Sequence, residues 1–229
     1  MLNRAARYFP ILRELKNRRS ERDSILEVGS GARGLGEFCQ LPFVGCDVSF
    51  SVQPRSPMTP VVATATKLPF GDRSFDFVIV SDVLEHVPPA CRMAVIREAL
   101  RVMRKVVIFG FPAGPQAFEC DRALAEVYDR KKRDAPAWLK EHLLHPFPTE
   151  SLFEDLGRRE CNVSVFGNEN LECHFSMMCK EMCRLWNYFF VLSVAVLPRF
   201  VEYVLRRIDR GPFYRMIFVV ECLEATNLR

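Results

Sequence analysis

The stretch Ile25-Leu26-Glu27-Val28-Gly29-Ser30-Gly31-Ala32-Arg33-Gly34 constrains this chain more than any other. A short apolar run ending at Val28 turns at once through glycines. A second apolar run, Phe43-Val44-Gly45-Cys46, ends in Asp47, sixteen residues past Gly31. A backbone bare of side chains beside one strand, with an acid at the tip of the next, is how α/β sheets hold a ribonucleoside.

The surrounding pattern agrees. Apolar runs at 25–28, 43–46, 60–63, 75–80 and 106–109 have the length and β-branched content of buried parallel strands. Pro88-Pro89, then Met93, Ile96, Leu100 and Met103 at helical spacing, predict a helix with one buried face. Alternating strands and helices give an α/β fold, a doubly wound and mostly parallel sheet. Beyond Phe111 the sequence predicts helices over 115–132, 138–144 and 149–157, a sixth strand at 163–166 and a seventh at 216–222. The expected organisation is a single domain. It comprises an N-terminal helical segment (1–23), a core (24–111), substrate-side helices with the sixth strand (112–213) and a last strand (214–223).

Two segments flank this core. Residues 2–22 mix Arg and Lys with Leu, Ile and Phe, predicting an amphipathic helix interrupted near Pro10. Its basic side reads as a solvated face rather than a contact with an acidic membrane. Late in the chain, Tyr188 to Leu197 is almost wholly apolar. A bilayer-crossing helix needs about 20 residues, so this run is a core helix, the wall of an apolar pocket, or a surface dipping into lipid. Burial in core or pocket is the expectation.

Composition narrows the function. A net charge of +4 lacks the basic field of a dedicated nucleic-acid binder, so no nucleic-acid partner is expected. The nine cysteines are odd in number and no apolar leader precedes Arg13, which reads as free thiols in a cytoplasmic protein. Cys173, His174, Cys179 and Cys183 cluster and could share a metal, but the expected reading is small core residues and no metal.

Gly29-Ser30-Gly31-Ala32-Arg33-Gly34 fits the dinucleotide pattern G-x-G-x-x-G, yet Glu27 would face a pyrophosphate with no gain. A carboxylate there suits a ligand carrying a sulfonium and an ammonium. Downstream, the run from Ala65 through Leu68-Pro69-Phe70-Gly71-Asp72-Arg73-Ser74-Phe75-Asp76-Phe77-Val78 to Val83-Leu84-Glu85-His86-Val87 closely resembles the type-11 group of class I SAM-dependent methyltransferases. With the glycine turn and Asp47, the resemblance covers roughly residues 24–112. It implies a Rossmann-like seven-stranded sheet in the order 3-2-1-4-5-7-6, its seventh strand antiparallel, with S-adenosyl-L-methionine (SAM) between strands one and four.

Carried over by position, the resemblance implies that Gly29 and Gly31 admit the methionine part of SAM and that Glu27 orients its ammonium. Asp47 would take the ribose hydroxyls and Val48 the adenine. Thr64 stands where many members have an Asp that reads the adenine, with Ala65 and Thr66 beside it. Ser81, Asp82 and Val83 would border the transferred methyl. The third glycine, Gly34, is then incidental.

His86 and His142 are the candidate bases, should the acceptor carry a proton. Glu85-His86 also reads as an element of the family's structural signature. Asp82, Glu85 and His86 further resemble the acidic-histidine metal site of some quinone-pathway O-methyltransferases. The sequence therefore reads as a methyltransferase acting at oxygen on a small-molecule or glycan- or lipid-linked acceptor, with peripheral membrane contact as an open partner. An NAD-dependent oxidoreductase and a non-catalytic SAM-binding module are the rivals.

Overall fold

The computed structural model describes residues 2–50, 52–54, 57–154 and 161–222. Its centre is a sheet of β1 (Ile25–Val28), β2 (Phe43–Asp47), β3 (Met58–Val62), β4 (Phe75–Ser81), β5 (Met103–Pro112), β6 (Cys161–Asn170) and β7 (Phe213–Cys222). Their spatial order is β3-β2-β1-β4-β5-β7-β6, as expected. The first five strands pair in parallel, whereas β7 is antiparallel to both β5 and β6. Pro60 is tolerated in β3 because that strand lies at the sheet edge.

The central strands are apolar throughout because both faces of the sheet are covered. Phe77 and Ile79 of β4 pack on one side with Tyr8, Ile11 and Leu15 of α1 (Leu2–Arg18). Val78 and Val80 pack on the other with Val95, Ile96, Ala99 and Val102 of α2 (Pro89–Val102). The buried stripe of α2 thus differs from the expected one. Met93 and Leu100 lie at its margin, and Met103 is the first residue of β5.

Helix α1 runs unbroken through Pro10, against expectation. Proline has no N–H for the carbonyl four residues back, which would orphan the Ala6 oxygen. Asn168 on β6 supplies the missing donor, its side-chain amide reaching Ala6 O at 3.2 Å. After β5 come α3 (Gly114–Arg130) and α4 (Ala137–His142). The helix expected over 149–157 is a 3-10 turn at Glu150–Phe153 that seats Phe153 against Phe109, Phe111 and Phe218; residues 155–157 lie outside the described ones.

Between β6 and β7 the chain forms α5 (Leu171–Glu181), α6 (Arg184–Val196) and α7 (Pro198–Ile208). The burial expected for Tyr188 to Leu197 is not found. Val194 is the one fully buried residue of α6, while Tyr188, Phe189, Leu192, Val196 and Leu197 are exposed. The reason is that α6 and α7 rest on one short patch of α1, where Val194, Val201 and Leu205 meet Leu2, Ala5 and Phe9.

The glycine turn is fastened from beneath. Glu27, 1% exposed, accepts a hydrogen bond from the Tyr8 hydroxyl at 2.7 Å and from the Leu35 N–H at 2.8 Å. Burial pushes its carboxyl up to about 7 against the pull of those donors. Gly34 has a left-handed φ of +47°, and a Cβ there would lie 2.1 Å from Glu27 Oε2. The third glycine is therefore required by the carboxylate under it, which corrects its reading as incidental. Gly34→Ala is expected to lower stability by about 1–3 kcal/mol in urea unfolding. Gly71→Ala, where an added Cβ meets nothing within 4 Å, is the control and should stay within about 0.5 kcal/mol of the parent. Matching midpoints for the two variants would remove the steric argument.

Candidate active site

Strand order reverses between β1 and β4, and the carboxyl ends of β1, β2, β3 and β4 open there into a cleft of about 780 Å³. Gly29 and Gly31 line it with φ of +73° and +55°. A Cβ on Gly29 would sit 2.3 Å from Val83 Cγ2, so glycine is what lets the β1 turn lie against the loop after β4. Asp47 accepts the Gly31 N–H and the Val48 N–H, each at 2.8 Å, which fixes its carboxylate at the end of the turn. Val48 is 67% exposed beside it. Thr64, Ala65 and Thr66 complete that side, the two threonine hydroxyls 3.0 Å apart.

Asp82, Val83 and His86 form the β4 side of the cleft. Two expected residues are not on its wall. Glu27 is spent on Tyr8 and Leu35, and Ser81 is buried with its hydroxyl unpartnered among the described residues. Glu27 therefore fastens the turn from below, and the structure does not bring it to the position that the resemblance implied.

Behind Asp82 runs a buried polar chain. Asp82 has a left-handed φ of +52°. It receives Arg215 through Nε and Nη2, each at 2.9 Å, and Arg7 through Nη1 at 2.9 Å. Two guanidiniums hold its carboxyl well below the usual carboxylate range, against the opposing effect of burial. Arg215 also pairs with Glu169, whose other oxygen meets His174 Nδ1 at 2.5 Å. The His174 ring stacks on Tyr214 with centroids 3.5 Å apart. The Tyr214 hydroxyl donates to Asp121, and Asp121 Oδ2 lies 2.7 Å from His142 Nδ1.

This chain encloses a second cavity of about 310 Å³, bordered also by Trp138 and Met178. Arg4, Arg7, Asp82 and His86 line both spaces. The two therefore share a wall, and His86 stands in it.

His86 and His142, the two candidate bases, come together with their rings 4.7 Å apart. Burial and the neighbouring His142 lower the pKa of His86, so its imidazole is neutral at pH 7, with Nδ1 3.2 Å from Glu141. His142 is buried, and its Nε2 lies 3.9 Å from Glu85. Glu85 is fully buried with both oxygens unpartnered among the described residues. Burial, then the charge of Asp82, raises its carboxyl well above the ordinary range. Arg92 of α2 secures this loop by donating to the carbonyls of Leu84, Val87 and Pro146.

Glu85, His86 and His142 are close enough for their ligand-type atoms to lie within 4.8 Å of one another. Asp82 is not in that group, since guanidiniums take both its oxygens. Of the cysteines read as small core residues, Cys173 and Cys183 are exposed, against that expectation, while Cys179 packs with Leu124 and Leu139.

Arg7, Asp121, Glu169, Tyr214 and Arg215 were not singled out from the sequence, and His174 entered only with the cysteine cluster. Two carried a readable signal. Asp121 interrupts the buried stripe Ala117, Leu124 of α3, and Arg215 interrupts a largely apolar strand. Arg7 meets Asp82, and Glu169 meets Arg215, only through long-range pairing.

Residues 26–110 match a family model described as a methyltransferase domain. The chain is 14% identical, with a TM-score of 0.56, to the methyltransferase domain of bacterial CtHen1-C, covering 97% of this chain and 99% of that one. It is 15% identical, with a TM-score of 0.53, to a SAM-dependent methyltransferase from Methanosarcina mazei, covering 94% and 98%. Among curated proteins it is 27% identical over 140 residues to the uncharacterized protein MJ1123 of Methanocaldococcus jannaschii. That match takes in 58% of this chain and 62% of the relative, so the chain spans about three fifths of the relative's length.

The Asp82 clamp generates a stability prediction. Asp82→Ala leaves two guanidiniums facing each other, one of them only 2% exposed, and is expected to cost about 3–5 kcal/mol in denaturant unfolding. Because its folded pKa is depressed, the Asp82 contribution is complete above the unfolded carboxylate range and fades as pH falls through the folded value. A loss below about 1 kcal/mol would show that the clamp does not organise the core.

Proposed function

We propose that the chain is a class I SAM-dependent methyltransferase and that it methylates a hydroxyl oxygen of a small-molecule or glycan- or lipid-linked acceptor. The observation that carries the reading is the position of His86, neutral and set in the wall shared by the cofactor cleft and the second cavity.

The donor set of the cleft suits SAM better than a dinucleotide. Asp47 at the β2 end offers a carboxylate to ribose hydroxyls. A dinucleotide pyrophosphate rests on the N-terminus of a full helix, whereas the turn here leads only into the four-residue 3-10 turn Gly34–Glu37, which carries an acid. Gly29 and Gly31 provide the close approach, and Thr64, Ala65 and Thr66 flank the adenine side.

When bound, SAM supplies a sulfonium methyl open to in-line attack, so most of the acceleration comes from positioning. The protein has to present an acceptor oxygen and remove its proton. The second cavity, walled by Trp138, Met178 and Tyr214, holds the acceptor. His86 accepts the hydroxyl proton at its free ring nitrogen, while Glu141 lies against Nδ1. His142 is a positioning residue: Asp121 and Tyr214 fix its ring, which in turn sets the angle of His86. Burial beside Asp82 shifts Glu85 toward its protonated form, which disfavours a second negative charge next to the site.

Two experiments test this reading. Asp47→Ala should weaken SAM binding by about 1–3 kcal/mol in calorimetric titration, with NADH giving no binding to either protein. Unchanged SAM affinity would show that the ribose acid lies elsewhere. His86→Ala should keep SAM affinity within about twofold and lower kcat by about 100-fold or more on a hydroxyl acceptor, followed as S-adenosylhomocysteine release. In the parent protein the rate should fall on the acid side with an apparent pKa below 6.5, since His86 must be unprotonated to accept. A flat acid limb would remove His86 from the proton transfer.

A further inference from the structure

We propose that α6 and α7 form a membrane-interface anchor that lies in one leaflet of a bilayer containing anionic lipids. The inference does not depend on the reaction assigned above.

The starting point is a surface that water solvates poorly. Between Arg184 and Arg199 the chain has no charged side chain. In a buried helix that would be ordinary, but here Leu185, Trp186, Tyr188, Phe189, Leu192 and Val196 are 46–76% exposed. The patch continues past the bend with Phe200, Tyr203 and Ile208. Contiguous apolar surface of this kind marks an interaction site on a folded protein.

Geometry selects how a bilayer would receive it. No single helix is long and apolar enough to cross a membrane. Helix α6 has 13 residues, about 20 Å at 1.5 Å per residue, against a hydrocarbon core of about 30 Å. At Pro198 the chain bends by 112° into α7. Such an element dips into one leaflet and turns back. Helix α7 has the matching pattern: Val201 and Leu205 face α1, Phe200, Tyr203, Val204 and Ile208 face outward, and Arg199, Glu202 and Arg206 gather on the remaining side. A helix resting on protein along one flank and on acyl chains along another, with a charged third side, is an interfacial helix.

Charge identifies the lipid. Across 184–210 stand Arg184, Arg199, Arg206, Arg207 and Arg210 against Glu202 and Asp209. The arginines sit at the two ends of the apolar run, where headgroups would be, and Arg207 lies over the Tyr203 ring at 5.1 Å, its stem along the apolar face. Trp186 and Tyr188 open α6 at the level where aromatic side chains favour the headgroup boundary. Anionic phosphate headgroups match cations placed at the ends of an uncharged helix.

The test uses the full chain, with Trp138→Phe so that Trp186 is the sole indole. Vesicles of phosphatidylcholine alone are compared with vesicles that also contain phosphatidylglycerol, at low and high salt. Expected are co-sedimentation with the anionic vesicles, a blue shift of Trp186 emission and its quenching by brominated acyl chains. Arg206→Gln with Arg207→Gln should weaken anionic-vesicle binding by about tenfold or more. Phe189→Ser with Phe200→Ser should abolish the quenching while circular dichroism and SAM affinity stay unchanged. No sedimentation with either vesicle at low salt overturns the proposal. So does a lipid-free solution mass of twice the chain with Trp186 already shielded, because a second copy would then cover the face.

Discussion

One carboxylate between two guanidiniums organises this molecule. Asp82 stands at the end of β4 in a left-handed conformation that non-glycine residues seldom adopt, held there by its N–H on Gly110 O and by Arg7 and Arg215. The first arginine belongs to the opening helix and the second to the final strand. Their meeting closes the sheet's upper edge, places α1 across the cofactor cleft and sets the loop that carries Glu85 and His86. Removing two cations and an anion from water is unfavourable term by term, and the arrangement persists because Arg215 reaches both Asp82 and Glu169 while Arg7 reaches Asp82, leaving Arg7 Nε without a partner among the described residues. From this clamp the polar chain extends through Glu169, His174, Tyr214 and Asp121 to His142, so the second cavity and the cleft at the strand ends are built around one set of charges.

Much of this was legible before the fold was seen. Strands buried on both faces leave unbroken apolar runs, and β1, β2 and β4 began where those runs began. The glycine turn and Asp47 announced the cleft because their chemistry is local: a bare backbone, then an acid at the next strand tip. What was not legible was whatever depended on distant partners. Pro10 reads as a helix break until Asn168, on β6, is known to serve the carbonyl it leaves free. Gly34 reads as spare until Glu27 is seen to sit beneath it. Glu27 itself was assigned to a ligand on the basis of charge. The structure gives it to Tyr8, a residue on the far side of the turn that no spacing rule would pair with it.

The apolar run in α6 failed for a different reason. Hydrophobicity measures a preference for leaving water and does not name the place of refuge. A sequence of aromatic and aliphatic residues was read as interior because most such runs are interior. Its flanking arginines, Arg184 and Arg199, mark the two ends of the uncharged run.

Helix α1 joins these separate themes, and its position in the chain has a consequence for how the protein matures. Its residues are made before the groups that hold them: Asn168, 162 positions from Ala6, Glu221, 203 positions from Arg18, and Asp82 alongside Arg215. Contacts of such separation form late and slowly. Until β6 and β7 exist, the nascent chain lacks Asn168, which serves the Ala6 carbonyl, and Arg215, which holds Asp82 beside Arg7. Synthesis must therefore run into β7 before the second cavity has the wall that Tyr214 and Arg215 supply.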